Sequence, residues 1–390
     1  MSKLLLSCDN SIYSYGGRYY FKDEEWRDFY YRYLRVFENL RIANRVIIEE
    51  SLSPRRVKIE DERIDVVNLP SFSGPKEYAS VYFKIGKKMK HITEGCDAAI
   101  VRLPSTIGQR VCNQVVRAKL PYAVEVVYDA EDGWRSATSI IEKYLWKRID
   151  HKMRLSCYNA DGISCVTESY LQKHYFSKKN NAFYSHYSTL SLDISFFTNK
   201  RKFPNKRMLI ANVANQIALD GRKGFKEIIT AIGRLKSRGL RVDAHFVGSS
   251  YHNGAELLLS YAESLGVKEQ IHFEGYLSRE ELSRFLEKVD LFVMPTRAEG
   301  LPRVIIEAMA KGLPCITTPV SGNPELVSSY FLIPYEDVNS LADRIYELCT
   351  NSSLYEKTSE ENYTKSLQYE ASILQKRRDK FYSKLKSVTV

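Results

Sequence analysis

Short apolar runs separated by longer amphipathic stretches recur along the whole chain, and their alternation defines its elements. Runs at 3–8, 45–49, 64–69, 97–103, 122–128, 162–167 and 183–188 read as strands, with helices over 24–40, 76–92, 106–119 and 139–156 between them. A second series opens at 207–214 and continues with strands at 242–248, 271–275, 291–294, 314–317 and 330–333. Its helices end at Arg238 or cover 280–288, 302–311 and 339–349, and 351–390 is helical and charged. Continuous runs such as Leu291, Phe292, Val293 and Met294 fit strands buried on both faces of a parallel sheet. Two such series predict an α/β chain of two doubly wound, Rossmann-like domains. Residues 193–206, with Asn199, Lys200, Lys202, Pro204 and Asn205, read as the linker. The expected domains are therefore 1–198 and 199–370. Residues 371–390 form a helix that either packs back on the first domain or lies on the surface.

The most informative stretch follows the 291–294 strand. Residues 298–301 read as a loop, and Pro302 suits the first helical position, where its missing N–H costs nothing. No Ser, Thr, Asp or Asn stands just before it, so the amides of Arg303 and Val304 are left for a ligand. A helix start beyond the carboxyl end of a strand is where α/β sheets bind phosphates. Glu307 is the odd residue of an otherwise apolar helix. It either meets donors such as ribose hydroxyls or pairs with Lys311 at i, i+4.

Glu299 and Glu307, set in EGLPRVIIEAMAKGLPCI, form an E-x7-E pattern. It resembles the signature of the retaining, nucleotide-sugar-dependent glycosyltransferases of the GT-B fold, the family 4 group, of the bacterial surface-polysaccharide type. The resemblance is strong from 207 to 348 and loose before that. It implies a GT-B fold whose two Rossmann-like domains face a central cleft, 1–198 holding an acceptor and 199–370 a nucleotide sugar, and retention of anomeric configuration. Glu299 would meet the donor sugar, Glu307 the ribose, and the amides of Gly300 and Leu301 the sugar and diphosphate, with Arg303 and Val304 beside them. Lys223, in the Lys-Gly pair that opens the helix ending at Arg238, would bind the diphosphate. A cation is electrostatically wrong for a helix start, which itself favours a phosphate partner. Relatives often carry an arginine after the first strand of this domain; Asn212 and Asn215 stand there instead, and Arg222 would take over its charge. Gly248 matches a glycine loop under the donor. Tyr276 either packs on the base or covers the sheet edge.

In the first half, Gly16-Gly17 allows a close backbone approach, and the resemblance sets such a loop near the diphosphate and acceptor; a plain turn is the alternative. Asp129-Ala130-Glu131-Asp132 ends a strand, where it faces a crevice. Three readings remain open for it. Asp129 and Asp132 orient the acceptor hydroxyl, with Asp129 catalytic; the cluster approximates a metal-binding Asp-x-Asp; or the Asp-rich turn caps the next helix. Many relatives have a His near this point, and this chain has Tyr128 and Asp129. In 139–156, Ile141, Leu145, Ile149 and Met153 make a stripe, while Lys143, Lys147, Arg148, Lys152 and Arg154 crowd the rest. That segment either lies on anionic headgroups, with Tyr144 and Trp146 as anchors, or is an ordinary core-facing helix.

The totals narrow the choice. At 390 residues, 44% hydrophobic and 27% charged, the composition is that of a soluble globular protein of two domains. No long apolar run occurs and MSKLLLSCDNS is too polar for a signal peptide, so a cytoplasmic place is expected, with peripheral contact to the inner face of an anionic membrane. Seven scattered cysteines suggest neither zinc nor disulfides. The resemblance implies no cofactor and no metal, since Lys223 and a helix start stabilise the leaving diphosphate. The partners expected are a UDP- or GDP-sugar and a glycan or lipid-linked acceptor. The net charge of +11 also suits a nucleic-acid binder, the non-enzymatic alternative. Within the fold, a sugar-nucleotide epimerase is the other alternative. A dehydrogenase is disfavoured because no G-x-G-x-x-G opens either half.

Overall fold

The computed structural model describes residues 2–389 apart from Thr138, Lys206 and Asp220, so Lys206, which closes the predicted linker, lies outside the described residues. The chain divides into two units, Met1–Tyr187 with Gln375–Val390, and Ser188–Leu374.

The first unit runs β1 (Lys3–Ser7), β2 (Ile12–Tyr15), β3 (Arg18–Phe21), α1 (Glu24–Tyr31), β4 (Asn39–Ile48), β5 (Val57–Lys58), β6 (Ile64–Pro70), α2 (Gly74–Lys88), β7 (Ala98–Leu103), α3 (Thr106–Arg117), β8 (Tyr122–Val126), α4 (Ala130–Arg135), α5 (Ile140–Tyr158), β9 (Gly162–Cys165), α6 (Tyr170–His174) and β10 (Phe183–His186). Strands β10-β9-β8-β7-β1-β4 are parallel, β6 pairs with β4, and β2-β3-β5 extend the sheet beyond β4. Strands β7, β8 and β9 are buried at every residue and apolar apart from Arg102, Glu125 and Ser164, as expected of strands covered on both faces.

The predicted helix over 24–40 is cut short. Asp23 caps α1 by accepting from Trp26 N at 3.0 Å, and the helix stops at Tyr31. Leu40 and Ile42 instead pair with Leu4 and Leu6 of β1, so sheet pairing overrides local helix preference and β4 starts earlier than its predicted 45–49. Gly16 and Gly17 form the β2–β3 turn with φ of 55° and 75°, which suits a tight hairpin.

The second unit runs β11 (Leu209–Ile217), α7 (Phe225–Ser237), β12 (Asp243–Ser250), α8 (Gly254–Ser264), β13 (Ile271–Gly275), α9 (Arg279–Lys288), β14 (Leu291–Met294), α10 (Arg303–Ala310), β15 (Cys315–Thr317), α11 (Asn323–Leu326), α12 (Val338–Thr350) and α13 (Ser352–Ser366). Its sheet is parallel in the order β13-β12-β11-β14-β15. Residues 330–333 are not a strand: Ser329–Phe331 is a 3-10 turn, and the sheet gains only the bridge Thr317↔Leu332.

The predicted linker is not loose chain. Arg201 donates to the carbonyls of Lys311 and Glu287, each at 2.8 Å, and of Leu286 at 3.2 Å, placing one guanidinium over the carboxyl ends of α9 and α10. Thr198 N donates to Ala310 O at 3.1 Å in the same strap. A polar composition marks this segment as loop but does not reveal that its cation caps two helices.

The chain returns to the first unit through α14 (Ala371–Ser387). Arg378, Phe381, Tyr382 and Leu385 are buried there, and Tyr382 OH donates to Glu125 Oε1 of β8 at 2.9 Å. All seven cysteines are free thiols.

Candidate functional site

In the second unit the strand order reverses between β11 and β14, because β12 and β13 build one way from β11 while β14 and β15 build the other. Loops leaving the carboxyl ends of two strands at such a switch point frame a ligand crevice. The loop after β11 carries Arg222, Lys223 and Gly224; the loop after β14 carries Glu299, Gly300 and Leu301.

These two loops are held together. Lys223 Nζ is ion-paired with Glu299 Oε1, and Thr296 Oγ1 donates to the same carboxylate oxygen at 3.1 Å. The side chain of Glu299 is 11% exposed and that of Lys223 is 29%. Backbone contacts fix the pair: Arg297 N donates to Arg222 O at 2.9 Å, and Asn212 Nδ2 donates to Lys223 O at 2.9 Å. Gly224 makes the approach feasible. Its φ is 74°, and a Cβ there would sit 2.4 Å from Pro295 O.

Pro302 is the N-cap of α10 rather than its first helical residue, and its side chain makes no capping hydrogen bond. Arg303 is exposed and Val304 half-buried at this start, beside buried Gly300 and Leu301. Glu307 is half-buried on the one polar line of α10, whereas Ile305, Ile306, Ala308 and Met309 are fully buried. Lys311 Nζ donates to Glu287 Oε1 at 2.8 Å, so the i, i+4 reading of Glu307 does not describe that lysine. Gly248 lies near the carboxyl end of β12 with φ of 149°, and a Cβ there would lie 2.3 Å from Ala214 O. Tyr276, after β13, is 66% exposed, and Arg222 is exposed.

The sequence reading missed the loop after β15. Gly322 N donates to Gly300 O at 2.9 Å, which brings Ser321 and Asn323 against the Glu299 loop. Ser321 has φ of 44°, and its buried Oγ has no protein partner, nor have Asn323 Oδ1 and Asn212 Oδ1. Three buried oxygens without partners around one crevice fit a ligand or water that supplies donors. The turn residues Ser321-Gly322-Asn323-Pro324 were the available signal.

In the first unit Asp129 adopts the capping geometry. Its Oδ1 accepts from Glu131 N at 2.9 Å and lies 3.0 Å from Tyr175 OH, and the residue is fully buried. Tyr175 OH also lies 3.0 Å from Asp150 Oδ1 and accepts from Ala130 N at 3.1 Å. Burial, then the charge of Asp129, drives the Tyr175 phenol far above its ordinary range. Asp132 is buried on α4, and Glu131 pairs with Arg135 at 2.5 Å and Arg154 at 3.2 Å. Glu131 is thus turned to two arginines, whereas Asp132 and Asp129 both lie near Tyr170, whose phenol is raised by burial and then by their charges. Among the described residues no group of three His, Cys, Asp or Glu is arranged to hold a metal. His174, from α6, sets Nδ1 3.4 Å from Asp129 Oδ2 with its side chain 27% exposed, an imidazole that sequence spacing did not reveal. Gly16 and Gly17 occupy an exposed hairpin tip, where a Cβ would meet nothing within 4 Å.

Residues 193–365 match the family model described as glycosyl transferases group 1. Over 374 residues the chain is 26% identical to protein CapJ of Staphylococcus aureus, covering 92% of this chain and 88% of CapJ. It is 29% identical over 170 residues to the putative colanic acid biosynthesis glycosyltransferase WcaL of Salmonella typhimurium, covering 41% of each. The solved structure of Anabaena HepE in complex with UDP-glucose superposes with a TM-score of 0.67 at 14% identity, over 98% of this chain and all of that one. The fold is GT-B, with two Rossmann-like units.

Proposed function

We propose that this chain, a glycosyltransferase, moves a sugar from a UDP- or GDP-sugar to a glycan or lipid-linked acceptor during cell-surface polysaccharide synthesis, with retention of configuration. The observation that carries the reading is the Lys223–Glu299 pair at the switch point of the second unit. A partly exposed ammonium beside a helix start whose cap residue is a proline suits a diphosphate, to which it contributes charge-assisted hydrogen bonds. Arriving phosphate oxygens compete for Lys223, and Glu299, still held by Thr296, is released to accept from hydroxyls of the sugar. Glu307, on the same helix and accessible from one side, takes the ribose hydroxyls. Gly300, Leu301, Arg303 and Val304 line the path of the diphosphate between the two glutamates.

The negative charge that develops on the leaving diphosphate is stabilised by Lys223 and the α10 amides, and the diphosphate itself takes the proton of the acceptor hydroxyl. No metal is needed for this scheme. WcaL, named for colanic acid biosynthesis, supports the pathway, and the UDP-glucose complex of HepE supports a nucleotide-sugar donor. In the first unit, half-buried His174 beside Asp129 is the side chain offered to the acceptor, and Asp129 acts by positioning it.

The test is a thermal-shift and turnover panel with UDP, GDP, CMP, NAD and a short RNA. Binding to the folded state at about 100 Kd raises stability by about 2.7 kcal/mol. A shift with UDP or GDP that Glu307→Ala abolishes is expected. A shift with NAD or RNA alone refutes the reading.

A further inference from the structure

The amphipathic segment of the first unit does not pack as a core-facing helix. Of its apolar stripe only Met153 is fully buried; Ile149 is half-buried, Leu145 is exposed, and Ile141 is 74% exposed, with Ile140 and Tyr144 exposed beside it. Trp146 is not an exposed anchor: its indole lies over Gly133, where a Cβ would come within 2.5 Å, and packs against Tyr128 at 5.8 Å. The indole thus fastens α5 to α4 and leaves the amino-terminal half of α5 outward.

Helices α2, α3 and α5 leave a groove of about 940 Å³ between them, at the upper end of the range for ligand pockets. Phe72, Tyr78, Val116, Leu145, Ile149 and Leu155 supply its apolar lining. Arg110, Arg117, Arg148 and Lys152 supply four cations, and no described lining residue is acidic. Arg110 is held by Tyr82 O at 3.1 Å and under the Tyr82 ring, while Arg117, Arg148 and Lys152 are exposed. The rim is apolar as well. Phe83 is 85% exposed, edge-on to Tyr82 at 5.6 Å, and Tyr144 lies 5.9 Å from the Arg148 guanidinium. One end of the groove, at Phe72, Gly74 and Thr106, lies just past the carboxyl ends of β6 and β7.

We propose that this groove binds a phosphate-bearing lipid of an anionic bilayer, its hydrocarbon chain between α2, α3 and α5 and its phosphate on Arg117, Arg148 and Lys152. The exposed Phe83, Ile140, Ile141 and Tyr144 enter the headgroup layer around it. An apolar slot lined by cations without carboxylates matches one hydrocarbon tail and one anionic head, and the stripe of isoleucines beside it matches a membrane interface. Nucleic acid fits less well, since an RNA leaves the aliphatic slot unfilled. The assignment extends the lipid-linked acceptor reading to a defined site and does not depend on the donor.

The measurement is co-sedimentation of the full chain with phosphatidylcholine vesicles, with and without phosphatidylglycerol, alongside thermal shift with dihexanoyl phosphatidylglycerol as a soluble probe. Binding is expected only to vesicles with phosphatidylglycerol, falling with salt. Arg148→Glu with Lys152→Glu should weaken it about tenfold or more, and Phe83→Ser with Ile141→Ser should weaken it even at low salt. Val116→Trp fills the slot from a partly exposed position and should abolish the shift by the soluble lipid while sparing vesicle association through the rim. All these variants should keep the shift by UDP or GDP. Equal binding to neutral vesicles, a soluble-lipid shift unchanged in Val116→Trp, salt-sensitive RNA binding that displaces vesicles, or self-association lost in the Phe83/Ile141 variant would overturn the assignment. Vesicle binding without any nucleotide response would instead count against the transferase reading.

Discussion

Replacing Tyr382 by Phe removes one oxygen from α14 and isolates how that helix is tied to the first unit. Glu125 is 4% exposed in β8, and its carboxylate accepts from Tyr33 OH at 3.0 Å, Tyr187 OH at 2.8 Å and Tyr382 OH at 2.9 Å, with Arg102 Nε at 3.3 Å. Burial, then the charge of Glu125, drives all three phenols far above the ordinary tyrosine range, so each remains a donor. Phe preserves the stack on Tyr33, whose ring lies 4.9 Å away, so the change opens little space. What is lost is one hydrogen bond to a buried charge, about 1.5–3 kcal/mol. For a unit of this size each kcal/mol lowers Tm by about 2–4 °C, so a fall of about 3–12 °C is expected. Hydrogen exchange by mass spectrometry locates the effect. Amides of β7 and β8 that exchange through unfolding of the first unit should speed up about 10- to 150-fold, while those of β11 and β14 keep their rates. Equal acceleration in both units, or acceleration confined to β11 and β14, would refute the assignment of α14 to the first unit's core.

Other outcomes follow from the second unit. Lys223→Met should weaken UDP or GDP by about 10- to 150-fold, the loss of one charge-assisted bond, and leave uridine or guanosine binding alone; isothermal titration decides. Gly224→Ala forces a Cβ toward Pro295 O at positive φ and should lower Tm and nucleotide affinity together, with Asn212 Nδ2 losing its bond to Lys223 O. The Lys311 hydrogen bond holds the Glu287 carboxyl below its ordinary 4.5, the reverse effect of burial being smaller. A lowered native pKa means stability fully present above 4.5 and lost as the pH falls from there through the native value. Acid should therefore destabilise the wild-type chain in that window more than it does Lys311→Met, as read by Tm against pH.

The parallel sheets were legible because strands covered on both faces are written as unbroken apolar runs: Leu291, Phe292, Val293 and Met294 are all fully buried. Lys223 and Glu299 were singled out separately and meet in space because their loops flank the point where strand order reverses. What stayed hidden depends on distant partners. The end of α1 is set by β1, the buried state of Asp129 by Tyr175 and His174, and the strap at Arg201 by the ends of two helices. In α14 the core positions Leu374, Arg378, Phe381, Tyr382 and Leu385 keep a helical period, but an arginine within it and many lysines around it disguise the buried face. Gly16-Gly17 announced a turn, not what the turn is near.

Because the first unit is made from two separated pieces of chain, synthesis order matters. Every residue of the second unit emerges from the ribosome before the piece Gln375–Val390 that brings Tyr382 to Glu125. The second unit is contiguous and has what it needs to fold as it appears, whereas the nascent first unit waits with a carboxylate short of one donor and with the apolar surface that Phe381 and Leu385 later cover. A stop codon or a protease cut near residue 374 would thus spare the crevice of Lys223 and Glu299 while leaving the remainder a substrate for chaperones and degradation.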